Sequence, residues 1–253
     1  MAARSRALSR SHTTLALVLR RTPYGEADLI VSLFTESLGQ VSALARSARK
    51  SQRRFGGGLE PFHTLEAALE ETRGGDLLSL REARVVVPRP GLLGHLSAME
   101  AAGTFLTWVR HSAPAHTPEP LLWELAQSCL DQLEGMALAA ATTSERRAEL
   151  ARLTLAAHGL RLLVACGWRL ELEYCVESGQ RCPAGKAAMI DPARGGVVSR
   201  ARGGGGGVRV SGEARQRLIA TQSGDTSVLE ESDAELVLQL VEATLRAHAG
   251  LAG

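Results

Sequence analysis

The sequence predicts an α+β chain, a small N-terminal β-barrel followed by an α-helical domain, within 253 residues. Three observations lead there. From Thr13 to Val87, short β-rich runs alternate with Gly- and Pro-marked turns. At Val87-Pro88-Arg89-Pro90-Gly91 two prolines and a glycine stop both strand and helix. Beyond that break, apolar residues recur at steps of three and four, the period of amphipathic helices.

Thr14 to Arg21 and Leu29 to Phe34 read as strands around the turn Pro23-Tyr24-Gly25-Glu26. Gln40 to Arg46 follows the turn Glu36-Ser37-Leu38-Gly39, and a polar stretch runs from Ser47 to Gly58. Leu59 to Glu71 and Leu77 to Val87 complete the set, joined by the hairpin loop Arg73-Gly74-Gly75-Asp76. Leu65-Glu66-Ala67-Ala68-Leu69-Glu70 has the propensity of a helix, which makes the fourth strand the weakest of the five. Five strands in about 75 residues fit a five-stranded OB-fold barrel, the nucleic-acid-binding member of this class. An SH3-like barrel fits the same count. The N-terminal domain is placed at 1–87.

The helical domain is placed at 92–253. Leu92, Leu96, Met99, Gly103, Leu106 and Val109 form one stripe. Thr117-Pro118 marks the next helix start by a cap and a first-turn proline. Thr142 with Glu145 and Ser232 with Glu235 read as capping boxes for two further helices. The stripes are Leu150, Leu153, Ala157, Leu160 and Val164, then Leu236, Val237, Leu240, Val241 and Leu245. Between about 166 and 208 the helical signal gives way to an irregular insertion with five consecutive glycines, Gly203 to Gly207. The glycine run lacks the Lys-Ser or Lys-Thr of a phosphate loop and reads as a flexible linker. No internal repeat is present.

Hydrophobic residues make up 45% of the chain, enough for a sizeable core, and the formal net charge is +2. The charge is unevenly spread: residues 1–55 carry ten basic and three acidic side chains, leaving the rest net acidic. A basic end on an acidic body suits a polyanionic partner. Four irregularly spaced cysteines, Cys129, Cys166, Cys175 and Cys182, exclude a small disulfide framework. The apolar run Leu15 to Leu19 is too short for a leader peptide, and no run approaches a membrane span. A soluble, cytoplasmic protein is expected.

The densest chemical feature is Arg46-Ser47-Ala48-Arg49-Lys50-Ser51-Gln52-Arg53-Arg54-Phe55, cations and hydroxyl or amide donors without an acid, ending in an aromatic ring. Such cations neutralise phosphates, and Phe55 has the face to stack on an unpaired base. The plainer reading is a solvated loop. The carboxylates of Glu26 and Asp28 fit ordinary turn chemistry. The seven histidines show no metal or triad spacing, His63, His95 and His111 being structural or solvated, and nucleophile-elbow and dinucleotide motifs are absent. No enzyme is expected. Cys175 and Cys182 lack the partners of a structural zinc site and read as buried or free thiols.

The ordered set Val18-Leu19-Arg20-Arg21-Thr22-Pro23-Tyr24-Gly25-Glu26-Ala27-Asp28, Leu33-Phe34-Thr35 with Gly39, Arg46-Ser47-Ala48-Arg49-Lys50-Ser51, Phe55 and Leu59-Glu60-Pro61-Phe62 resembles the opening of the RecO family. Gly167-Trp168, Leu172 and Cys175 resemble that family's approach to its zinc-binding segment. Two Cys-x-x-Cys pairs follow in many members. Here Ser178, Ser199 and Arg202 stand at three of the four ligand positions, so the resemblance implies a degenerate zinc-finger-like insertion without zinc.

The resemblance further implies an OB-fold and binding of single- and double-stranded DNA through Arg20, Arg21, Tyr24, Arg46, Arg49, Lys50, Arg53, Arg54 and Phe55. It implies annealing of complementary strands and loading of RecA onto strands covered by single-stranded-DNA-binding protein. RecR and that protein's C-terminal tail are the implied partners; no cofactor is implied. An OB-fold RNA-binding module is the alternative, and a third class is a nuclease or transferase whose site carries no recognisable motif.

Overall fold

In a computed structural model of the chain, residues 10–56, 59–72, 75–139, 143–202 and 206–251 are described. Two compact units result, Met1–Arg89 with Ala113–Trp123, and Pro90–Ser112 with Glu124–Gly253. Several sequence expectations fall wholly or partly outside the described residues: Gly57 and Gly58 of the polar stretch, the Arg73-Gly74 half of the hairpin loop, Thr142 and Gly203–Gly205.

The first unit is a closed five-stranded barrel in the order β1-β2-β3-β5-β4, the OB-type barrel expected from the turn pattern. The strands are β1 (Ser11–Tyr24), β2 (Asp28–Thr35), β3 (Gly39–Ala45), β4 (Thr64–Glu70) and β5 (Leu77–Val87). β1 is long enough to serve two partners, pairing with β4 through Ser11–Leu17 and with β2 from Ala16 onward. An irregularity between Val18 and Arg20 marks the place where the strand bends, as bulges do in barrels. β3 and β5 pair in parallel and close the barrel.

β4 settles the conflict between propensity and pattern. Leu65, Ala67 and Leu69 point into the core, while Glu66 and Glu70 face outward to Arg84 and Arg81 of β5. Period-two burial outweighs the helix preference of Leu, Ala and Glu because every second side chain is removed from water. The strand begins at Thr64 rather than Leu59. Before it the chain turns through Phe62 at φ +77°, and the Arg89 guanidinium, 1% exposed, donates to the Phe62 carbonyl at 2.8 Å and Thr64 Oγ1 at 3.0 Å. The Arg89 N–H donates to His63 Nδ1 at 3.0 Å, so His63 is structural.

Thr117-Pro118 does not open a helix. Ala115 bridges Gln40 of β3, and the helix starts at the next proline, Pro120. A side chain on Gly39, at φ +67°, would collide with the Thr117 backbone. Trp123 covers Phe34 on the face opposite the barrel interior, with ring centroids 5.7 Å apart.

The second unit holds α2 (Pro90–Gly94), α3 (Leu96–Ser112), most of α4 (Pro120–Leu138), α5 (Ser144–Ala165), α6 (Gly212–Gln222) and α7 (Glu231–His248). α5 packs on both α3 and α7. Gly159 permits this: an added Cβ would stand 2.8 Å from Trp108 and 3.1 Å from Val241. The buried face of α3 is Ala98, Ala101, Ala102, Phe105, Leu106, Trp108 and Val109, whereas Leu96 is 65% exposed. Of the predicted stripe, Leu92, Leu106 and Val109 are buried, whereas Leu96 and Met99 give way to Ala98, Ala101 and Ala102, so the buried face is shifted at its start. The caps also shift: Thr143 caps α5, and Glu230 with Asp233 makes the box for α7. Asp233 accepts two bonds from Arg217 of α6, at 2.6 and 2.9 Å, which raises the Arg217 pKa.

The stretch read as irregular contains a three-stranded sheet of β6 (Gly185–Asp191), β7 (Gly196–Val197) and β8 (Val208–Ser211), ordered β7-β6-β8. Here β7 is only two residues long, below what residue periodicity registers.

Candidate nucleic-acid interface

The β1–β2 hairpin turns at Gly25, whose φ of +61° suits glycine, and its last pair is Tyr24 with Asp28. The basic segment folds back onto this tip. Asp28 Oδ1 accepts the Ser47 N–H at 2.7 Å, with Ser47 at φ +54°. Arg49 donates its backbone N–H to the Ala27 carbonyl at 3.1 Å and its Nη1 to the Glu26 carbonyl at 3.2 Å. Asp28 is thus a turn-fixing residue, in keeping with the turn reading of Glu26 and Asp28. Among the described residues no group of three or more His, Cys, Asp or Glu could hold a metal.

The segment continues into a single helical turn, α1 (Gln52–Phe55). Arg54 donates Nη2 to the Arg46 carbonyl at 2.8 Å and Nε to Ser51 Oγ at 3.3 Å. Its guanidinium carbon stands 5.2 Å from the Phe55 ring centroid. Arg49 and Arg54 therefore brace the loop through neutral carbonyl and hydroxyl groups rather than through ion pairs. The exposed side chains of Arg20, Arg46, Lys50 and Arg53 form no ion pair with a described residue. Arg21 differs, being paired with Glu60 at 2.7 Å. Exposed pairs of this kind are worth little and can exchange partners.

Phe55 is not available for stacking. It is 3% exposed and belongs to the barrel core with Leu59, Leu65, Leu78 and Leu80. Burial of its ring anchors the basic segment to the barrel, and α1 packs on β5. The signal was its position: one aromatic ring in a run of cations, followed by apolar Leu59 and Phe62, is the mark of an anchor. Tyr24, 55% exposed at the hairpin tip, is the aromatic side chain that reaches solvent beside the cations. Arg20 and Arg21 lie further back along β1, and no hydrogen bond among the described residues joins their side chains to the 46–55 segment.

Residues 9–89 match the family described as Recombination protein O N terminal. A DNA repair protein RecO from Anaeromyxobacter sp. (strain K) is 44% identical over 118 residues, covering 47% of this chain and 46% of that protein. The RecO of Anaeromyxobacter sp. (strain Fw109-5) is 35% identical over 182 residues, covering 72% of this chain and 66% of the relative. That of Geobacter metallireducens is 37% identical over 175 residues, covering 69% and 66%. The matched part thus spans about half the length of the first relative and just under two thirds of the other two. With the barrel matched as a unit and the likeness running on into the helices, the chain belongs to the RecO family.

Proposed function

We propose that the protein is a non-catalytic DNA-binding factor of recombinational repair. It binds single- and double-stranded DNA without sequence preference, anneals complementary strands, and helps load RecA onto DNA covered by single-stranded-DNA-binding protein. RecR and the tail of that binding protein are its proposed partners, and the cytoplasm its proposed compartment. The observation that carries the reading is the braced basic segment at the β1–β2 tip, with Arg46, Lys50 and Arg53 exposed and without acidic partners among the described residues. Cations held on a rigid frame meet phosphates without the entropic cost of ordering a loose loop. Phosphate contacts carry no base information, which accounts for the absence of sequence preference. Support for a repair role comes from the RecO relatives, and no helix among the described residues is long and apolar enough to cross a membrane.

Annealing of complementary labelled oligonucleotides tests this reading, with matched DNA and RNA strands as competitors for binding. The protein should accelerate annealing, and DNA should compete at least as well as RNA. Preference for RNA without any annealing would favour the RNA-binding alternative. Tyr24→Ala should weaken single-strand binding by about 1–3 kcal/mol through lost stacking. The salt dependence should not change, and duplex binding should suffer less, because bases in a duplex are already stacked.

A further inference from the structure

Within the second unit, Tyr174 and Arg181 bridge as an antiparallel pair, the Cys175 N–H donates to the Gln180 carbonyl at 2.8 Å, and the Cys182 N–H donates to the Glu173 carbonyl at 2.7 Å. This register makes Cys175 and Cys182 diagonal neighbours, and both line one cavity of about 390 Å³. Met189 of β6 lines it too. The backbone explains why. The Val198 N–H donates to the Met189 carbonyl at 2.9 Å, and the next residue, Ser199, donates its N–H to Cys175 Sγ at 3.4 Å. Cys175, Cys182 and Met189 thus line one cavity, with Arg181 and Arg209 also in its wall.

The zinc implied by family resemblance does not fit these residues. Structural zinc takes four thiolate or imidazole ligands. At the matching positions stand Ser178, Ser199 and Arg202, a hydroxyl, a hydroxyl and a guanidinium where thiolates would be needed. Beside the hard oxygens of Gln180 and Ser199, the lining offers the sulfurs of Cys175, Cys182 and Met189, soft donors of the kind that selects copper(I).

We propose that Cys175, Cys182 and Met189 form a binding site for a soft monovalent metal ion of the copper(I) class. Diagonal positions on paired strands have Cβ atoms somewhat under about 7–8 Å apart. That exceeds the roughly 3.5–4.5 Å of a disulfide, so direct sulfur bonding would require the hairpin to shift. An ion with metal–sulfur bonds of about 2.3 Å spans the difference. The Ser199 N–H donates to Cys175 Sγ at 3.4 Å, which fixes the orientation of this sulfur, and a thiol that coordinates a metal gives up its proton. One monovalent cation between two thiolates leaves one negative charge, complementary to Arg181 and Arg209. Cys129, enclosed in the helices with its thiol pushed far up by burial, has no such role.

The test presents copper(I) to the reduced, full-length protein under anaerobic conditions, in competition with the chromophoric chelator bicinchoninate. One ion per chain should be withdrawn from the chelator. Cys175→Ser and Cys182→Ser should each lower the apparent affinity at least about 100-fold, more than the roughly 10–100-fold cost of losing an outer-shell partner. Met189→Leu, which conserves volume, should lower it less, and Cys129→Ser and Cys166→Ser should leave it unchanged. X-ray absorption on the unmodified copper-loaded chain should report sulfur neighbours alone, and this measurement does not depend on any variant folding. Failure to withdraw copper(I), withdrawal undiminished in folded Cys175→Ser and Cys182→Ser, nitrogen or oxygen coordination, or equal retention of zinc(II) would each overturn the proposal.

Discussion

Replacing Phe55 with Ala is expected to destabilise the barrel by about 3–5 kcal/mol, the usual cost of truncating a buried aromatic ring. The ring is 3% exposed among Leu59, Leu65, Leu78 and Leu80, and it is what ties the basic segment to β5. Two losses follow from one substitution. The barrel loses buried apolar area and gains a cavity, and Arg53 and Arg54, its immediate neighbours, lose the anchor that fixes α1. Urea denaturation followed by circular dichroism measures the first. DNA binding below the unfolding midpoint measures the second, which should appear as weaker affinity for single and double strands alike. A Phe55→Ala protein as stable as the parent, impaired only on single strands, would return the ring to a stacking role.

Arg215→Met is expected to cost about 3 kcal/mol, since each buried carbonyl left without a donor costs roughly 1–3 kcal/mol. Arg215 of α6 is 1% exposed and donates to the carbonyls of Leu172 and Pro183 at 2.5 Å and of Cys182 at 3.4 Å. One side chain thereby gathers both ends of the 172–183 stretch, the part of the chain that a metal would otherwise organise. Met keeps the aliphatic stem and removes the donors, so the effect is separated from packing. Limited proteolysis with mass mapping should show new early cleavage between 172 and 183, while a chelator added to the parent protein should produce none. Unchanged cleavage in the variant would mean that the segment is held by its strand pairings alone.

The barrel was legible because its strands alternate: Leu65, Ala67 and Leu69 inward with Glu66 and Glu70 outward is a pattern that survives unfavourable propensity. Turn chemistry was equally readable at Gly25 and Gly39, where positive φ angles require glycine or its like. Helix stripes were harder. Alanine buries as readily as leucine when helices approach closely, so Leu106 and Val109 of the buried face of α3 were legible and Ala98, Ala101 and Ala102 were not. The capping signals fell one or two residues away: Thr143 is as competent a cap as Thr142, and Glu230 caps α7 only through its reciprocal bonds with Asp233, which the Ser-x-x-Glu pattern does not register. Two further features have no local pattern at all. Arg89 sits in a Pro-rich break that reads only as a domain boundary, yet it is buried and donates to the Phe62 carbonyl. The β6–β8 sheet is assembled from short pieces separated by turns, and only their pairing reveals it.

For the candidate interface, charge density pointed to the right segment but not to the division of labour within it. Arg49 and Arg54 meet backbone carbonyls eight or more residues away, contacts that no spacing rule registers. Phe55 and Tyr24 have opposite exposures for a reason that lies in the tertiary fold: one follows α1 into the barrel, and the other stands at a hairpin tip with its ring 55% exposed.

The central claim is that Arg46, Lys50 and Arg53 contact phosphates, and the salt dependence of single-strand affinity tests it most directly. Each phosphate neutralised on a single strand adds about −0.7 to the slope of log affinity against log salt. The three substitutions Arg46→Ala, Lys50→Ala and Arg53→Ala leave the bracing arginines in place, so the loop should keep its shape. Together they should flatten the slope by about 2 and weaken all sequences alike. Arg81→Ala with Arg84→Ala, at cations already paired to Glu70 and Glu66 on β4, should leave the slope near its parent value. A folded triple variant with the parent slope, and a β5 variant with a flattened one, would contradict the account and move the DNA to the outward face of β4 and β5.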